Sequence, residues 1–162
     1  MRTIDGAQAG QGLRFAVVVS KYHDFVTERL QRGALAALAA AAVDTSAVTL
    51  IKVPGAFEIP TAARQAADTG RFDAIVCLGC LIKGETPHFD FIAAAVAHGL
   101  VAASGETGIP ISFGVLTTNS VEEALARAGD GPANKGWEAA AAAVDMATIA
   151  RGLRDVGSVG EK

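Results

Sequence analysis

The sequence predicts an α/β fold: a three-layer α/β/α sandwich built on a four-stranded parallel sheet. Two observations carry that expectation. Four short apolar runs, rich in β-branched residues, have the length and make-up of buried strands. The stretches between them repeat apolar residues at helical spacing, so strands and helices alternate. Apolar strands in such an alternation imply a parallel sheet covered on both faces.

The elements follow in order. Residues 14–20 (RFAVVVS) read as the first strand. Residues 25–43 read as a helix, because Val26, Leu30, Ala34 and Leu38 recur every fourth position. Residues 48–53 form the second strand, closed by Pro54-Gly55. A helix over 59–67 has a proline near its start, where the missing N–H costs nothing. Residues 73–82 (DAIVCLGCLI) make the third strand, and a polar loop, 83–87, leads to a helix from 88 to about 104. The fourth strand is placed at 109–116. Ser120-x-x-Glu123 is a capping-box signature for a helix that ends at Ala128-Gly129. An alanine-rich helix from 134 to about 153 is the last element, and residues 154–162 read as a frayed tail. The leader, 3–13, is long enough to add an edge strand, on this sheet or on a neighbour's. The 162 residues suit a single domain.

Composition excludes several function classes. The net charge is −3 with no Lys/Arg cluster, which argues against a nucleic-acid footprint. No apolar run reaches the roughly 18–20 residues needed for a membrane span. The first residues are polar and glycine-rich, unlike a secretory signal. Two cysteines without a disulfide framework suit a reducing cytoplasm. The apolar share is 51% but aromatics are only 6%, and 34 residues are alanine. Alanine buries little area per residue. A monomer built this way has a thin core unless it packs very closely or neighbouring subunits cover the rest.

Open α/β sheets bind ligands at the carboxyl ends of their strands. Four loops occupy those ends: 21–24, 54–58, 83–88 and 117–119. Two of the three histidines fall in them, along with aromatics, carboxylates and lysines. In 83–88, Thr86 is a candidate N-cap and Pro87 a candidate first helical residue. Gly84 permits close backbone approach. Free N–H groups at that helix start make an anion site, and His88 stands in the first turn, where an imidazole can exchange a proton near neutral pH. Against this stands a surface histidine at a helix start, which local sequence alone does not separate from a functional one. Glu58 reads first as a favourable acid at a helix N-terminus, and Tyr22 as a face for stacking a planar ring. Arg127 complements the carboxyl end of its helix. Lys135, a cation at a helix start, is placed against the local field, which favours an anionic ligand for it. Cys77 and Cys80 spell C-x-x-C, but within one strand their Cα atoms are ~10 Å apart on opposite faces. That is too far for a disulfide, so both read as small buried residues. His98 and Trp137 read as packing residues.

Four motifs then stand in order: VPGAFEIP (53–60), LIKGETPHFDF (81–91), FGVLTTNS (113–120) and RAGDGPANKG (127–136). In these the chain resembles the lumazine synthases of riboflavin biosynthesis, over about residues 14–153. The resemblance implies a flavodoxin-like sheet and condensation of 5-amino-6-(D-ribitylamino)uracil with 3,4-dihydroxy-2-butanone 4-phosphate. The product is 6,7-dimethyl-8-ribityllumazine, with release of phosphate and water. It implies no metal and no cofactor. It assigns proton transfer to His88 and the substrate phosphate to Gly84, Glu85 and Thr86 with Arg127. Tyr22 would stack on the pyrimidine, Ala56, Phe57 and Glu58 contact ring and ribityl chain, and Cys80, Leu81 and Ile82 line the pyrimidine site. Phe113 and Lys135 would complete the site, some of these residues coming from an adjacent subunit. The family forms homopentamers and often shells of twelve pentamers, and the short 128–134 loop is read as permitting the shell. Tyr22 stands where phenylalanine or tryptophan is more familiar, His23 where asparagine is common, and Gly131 where several relatives carry lysine. The competing readings are a protein that binds flavin or a ribityl ligand, and a shell-forming protein with a decayed site. Neither needs His88, Thr86 and Arg127 together.

Overall fold

The computed structural model describes residues 1–158. Four strands, β1 (Phe15–Ser20), β2 (Val48–Val53), β3 (Ala74–Ile82) and β4 (Ile111–Thr118), lie in the order β2-β1-β3-β4, all parallel. The helices are α1 (Asp24–Ala40), α2 (Ile59–Asp68), α3 (His88–Thr107), α4 (Val121–Arg127) and α5 (Lys135–Ser158). The element order and the sandwich are those expected from the sequence. On one face Phe15, Val17 and Val19 pack in a core roofed by α1 and α5, α1 lying on β1 and α5 on β3 and β4. On the other, Ala16 and Val18 pack in a core roofed by α2 and α3, α2 lying on β1 and α3 on β4 and β3. Odd and even residues of β1 therefore serve two separate cores, as the two-residue period of a strand requires.

Boundaries moved for identifiable reasons. α1 ends at Ala40, not near Val43, because Ala42 turns left-handed (φ 61). Ala42 N then donates to Ala39 O and Val43 N to Leu38 O, both at 3.0 Å, which is a Schellman closure with alanine where glycine is usual. α3 runs on to Thr107 because Gly108, with φ 70, supplies the left-handed stop. β4 starts after Pro110 and takes in Thr117 and Thr118, which pair with Leu81 and Ile82. α5 continues to Ser158, so residues 154–158 are helical, and the rest of the expected frayed tail lies outside the described residues.

The leader forms no strand in this chain. It lies along α5: Ala7 N donates to Thr148 Oγ1 (3.0 Å), and Gln8 Nε2 donates to Ala141 O (2.9 Å) and Asp145 Oδ1 (2.7 Å). By length and composition α3 is long and apolar enough to cross a membrane, against the expectation that no apolar run reaches that length. Only 17% of that span is buried, through Val96, Leu100 and Ala103. Its outer face carries Phe91, Ala94, Ala95, His98 and Val101, with Phe91 72% and Val101 69% exposed. His98 is thus exposed, against its expected role in packing. It lies one turn on from Ala94 and Ala95, on the stripe facing away from the sheet. Trp137 is half-buried against the first core.

Close packing uses the small residues directly. At the α1–α5 crossing, a Cβ on Gly136 would lie 2.0 Å from Leu30 O, and one on Gly33 would lie 2.3 Å from Asn134 Oδ1. The first obstacle is backbone and cannot yield. Gly136→Ala is expected to cost about 3 kcal/mol, seen as a lower urea midpoint at unchanged slope. Gly105→Ala, on α3 with open space around it, is expected to gain about 0.5–1 kcal/mol. Equal midpoints for the two variants would contradict this account of the crossing.

Candidate active site

The carboxyl ends of β1, β2 and β3 converge on one cleft of ≈ 590 Å³, a size suited to a small organic ligand. Backbone bonds bring its parts together. Lys21 N donates to Val53 O (2.8 Å) and Tyr22 N to Pro54 O (3.1 Å), which sets the β1 loop beside the β2 turn. In that turn Gly55 has no Cβ to obstruct Glu58, whose carboxylate folds back to within 3.1 Å of where a Cβ would stand. Lys83 N donates to Thr118 O (2.8 Å), carrying the pairing of β3 with β4 one step further as the third loop departs.

The start of α3 differs from expectation. Pro87, not Thr86, is the N-cap, and no side chain caps the helix. The Pro87 carbonyl accepts from Asp90 N (3.1 Å) and Phe91 N (3.3 Å). The preceding N–H groups, of His88 and Phe89, have no hydrogen-bond partner among the described residues, and neither has the Thr86 hydroxyl. These are donors at the positive end of a helix, the arrangement that holds an anion.

Ten of the fourteen residues singled out from the sequence line this cleft: Tyr22, Ala56, Phe57, Glu58, Cys80, Leu81, Ile82, Gly84, Thr86 and His88. Glu85 lies exposed in the same loop but not on the cleft wall. The family model of 6,7-dimethyl-8-ribityllumazine synthase matches residues 12–151. A 6,7-dimethyl-8-ribityllumazine synthase of Syntrophus aciditrophicus (strain SB) is 44% identical over 147 residues, covering 91% of this chain and 96% of that relative. The chain belongs to the 6,7-dimethyl-8-ribityllumazine synthase family.

Membership in the lumazine synthases makes the remaining residues informative. Phe113, Arg127 and Lys135 do not reach this cleft. They line a second one, of ≈ 550 Å³, between the free edge of β4 and α5. Ser120 Oγ accepts from Glu123 N (3.1 Å) to open α4, while Glu123 Oε2 accepts from Asn119 N (2.9 Å) rather than from the cap residue itself. Arg127 then donates to Glu123 O (3.0 Å). Lys135 is less anomalous than its position suggested, since Glu138 pairs with it at 2.8 Å. Asn134 locks this corner. Its amide donates to Arg29 O (3.2 Å) and Gly129 O (2.7 Å), and its Oδ1 accepts from Gly136 N (2.7 Å) and Trp137 N (3.2 Å).

Sequence reasoning missed Val121, Phe89 and Ile92 on the wall of the first cleft. Val121 follows the β4 loop by two residues, so the strand-end rule came close to it. Phe89 and Ile92 are apolar residues of a helix, and nothing local distinguishes them from core.

Cys77 and Cys80 are free and face opposite cores, as their spacing required. Burial raises both thiols, Cys80 up to about 11. Although Cys80 lies on the cleft wall, only about one thiol in a thousand is then thiolate at pH 8. Native protein is expected to resist iodoacetamide at pH 8 for hours and to label at both positions in guanidinium. Rapid labelling of the folded protein, read by intact mass, would refute the burial argument.

Proposed function

We propose that the first cleft is the catalytic half-site of a lumazine synthase and that a neighbouring copy supplies the other half. The chain condenses 5-amino-6-(D-ribitylamino)uracil with 3,4-dihydroxy-2-butanone 4-phosphate to 6,7-dimethyl-8-ribityllumazine, releasing phosphate and water. The observation that carries the assignment of residues is the convergence of three strand ends on one cleft that holds His88, Thr86, Tyr22 and Glu58.

The chemistry follows from these groups. The pyrimidine lies against Tyr22 and the walls made by Cys80, Leu81 and Ile82. Its ribityl chain extends along Ala56, Phe57 and Glu58. The butanone phosphate rests on the 84–86 loop with the Thr86 hydroxyl and on the free N–H groups of His88 and Phe89. The pyrimidine amine attacks the ketone, and the carbinolamine loses water to give an imine. Phosphate is then eliminated, the resulting enol becomes a ketone, and the second amine closes the ring with loss of another water. Proton transfer recurs in these steps, and His88 is the imidazole placed beside the phosphate-binding turn. The protein contributes orientation and proton transfer.

The charge that completes the phosphate site, Arg127, lies with Phe113 and Lys135 in the second cleft of the same chain. The two clefts share no lining residue. A head-to-tail contact that sets the second cleft of one copy over the first of the next would unite them. Repetition of such a contact closes a ring. Three features support a ring, the homopentamer of the family. The outer face of α3 is apolar and mostly uncovered, fit for packing by further copies. Accessible surface is 8797 Å², against roughly 7,500 Å² for a folded monomer of this mass. The β4 edge also lies open beside Phe113. The short loop after α4 leaves room for rings to gather into the family's shell.

Mixing the two substrates with the protein is expected to accelerate the formation of lumazine absorbance and free phosphate. No acceleration over the spontaneous reaction would remove the assignment. Arg127→Ala should chiefly raise the KM of the phosphorylated substrate. His88→Ala should slow turnover by less than the ~10²–10⁴ usual for a general acid–base group, because the condensation also proceeds unassisted. A shared site predicts complementation. When the two variants are unfolded together and co-assembled, roughly a quarter of the sites pair an intact His88 half with an intact Arg127 half. Activity that only averages the two parents would show that each chain makes its own site.

A further inference from the structure

His23 lies in the first cleft with no part in the reaction described above. Its backbone is left-handed (φ 58, ψ 48) at the N-cap of α1. Among the described residues only Ala42 is another non-glycine with positive φ. Histidine, asparagine and aspartate are the side-chain-bearing residues that enter this region most readily. The turn is held from below, since His23 O accepts from Val26 N (2.9 Å) and Thr27 N (3.0 Å).

This turn directs the imidazole against Tyr22, with ring centroids 4.5 Å apart and planes at 63°. Phe25 meets the imidazole as well, at 5.8 Å and 84°. Tyr22 is 66% exposed, and its ring touches no other ring among the described residues. A platform that exposed keeps a stacking angle only if something holds it, and the imidazole is what it leans on. The ring of His23 makes no hydrogen bond or ion pair among the described residues. The titratable groups around it are Lys21, Tyr22 and Asp24 on its own segment, Glu58 from the β2 turn, and His88 from α3. Partial burial lowers its pKa by desolvation, so the packed ring is the neutral one. The charged ring needs water that its position restricts.

We infer that His23 is a positioning residue: its neutral ring sets the angle of Tyr22 and thereby the affinity for the planar pyrimidine, and protonation releases that hold. This rests on the function proposed above. The sign follows from the depressed pKa. The hold is complete above it and is lost as pH falls through it, at a value below the ordinary 6.5.

The test measures KM for each substrate from pH 5 to 8 in the wild type, His23→Asn and His23→Gly. Both replacements tolerate the left-handed backbone. In the wild type, KM for ribitylaminouracil should rise roughly two- to tenfold as pH falls, the range set by one aromatic contact. In both variants it should be raised already at pH 7.5 and show no such step. The butanone phosphate KM titrates with its own phosphate and should change with pH alike in all three proteins, as should kcat. Calorimetric titration of ribitylaminouracil alone reads the same step without turnover, so it stands even if the condensation assay fails. An unchanged step in His23→Asn, or wild-type pyrimidine affinity at pH 7.5 in both variants, overturns the inference.

Discussion

Strand β3 must satisfy its backbone entirely within the sheet, because both its faces and both its edges are covered. It pairs with β1 on one side and β4 on the other, and its first seven residues are buried. Water cannot serve those N–H and C=O groups, so pairing along both edges is obligatory, and the helical crossovers between successive strands make that pairing parallel. Every strand therefore releases its chain at the same end of the sheet. The β1 loop, the β2 turn and the turn into α3 meet there because they have no other exit. Burial thus produces the cleft before any side chain in it acts.

Small residues shape the rest. Gly33 and Gly136 bring α1 against α5 so closely that Asn134 can reach the α1 backbone at Arg29 O. Asn134 thereby fixes the turn between Arg127 and Lys135, which presents both to the second cleft. Gly114 plays a similar part under α5, where a Cβ would meet Ala139 at 2.9 Å and Cys77 O at the same distance. Alanine makes such contacts cheap in side-chain entropy, but it leaves broad apolar surface outside, most of all along α3. The thin core anticipated from composition is a well-packed sheet whose helices are left half-covered.

Much of the site was legible because its residues follow strand ends, and strand ends can be found from apolar runs. Tyr22, Glu58 and His88 were identifiable by that rule together with their chemistry, and Arg127 and Lys135 by charge at helix termini. Thr86 was given the capping role that its hydroxyl suits. Pro87 holds that position instead, which leaves the hydroxyl free beside two unbonded N–H groups. Val121, Phe89 and Ile92 carried no local mark. The exposure of His98 was not legible, because hydropathy cannot tell which side of an alanine-rich helix faces the sheet.

The sequence by itself determined the order of the four strands and five α-helices, the opposite facing of Cys77 and Cys80, and the family. Each of these depends on local period, local spacing or a contiguous motif. Only the tertiary structure decided that Phe113, Arg127 and Lys135 occupy a different cleft from His88. The free edge of β4 and the crossing of α5 separate them, and neither is encoded near those residues. The tertiary structure also decided that the leader lies on α5 and that His23 turns left-handed to brace Tyr22. Such outcomes arise from contacts between distant segments, where packing outweighs local preference.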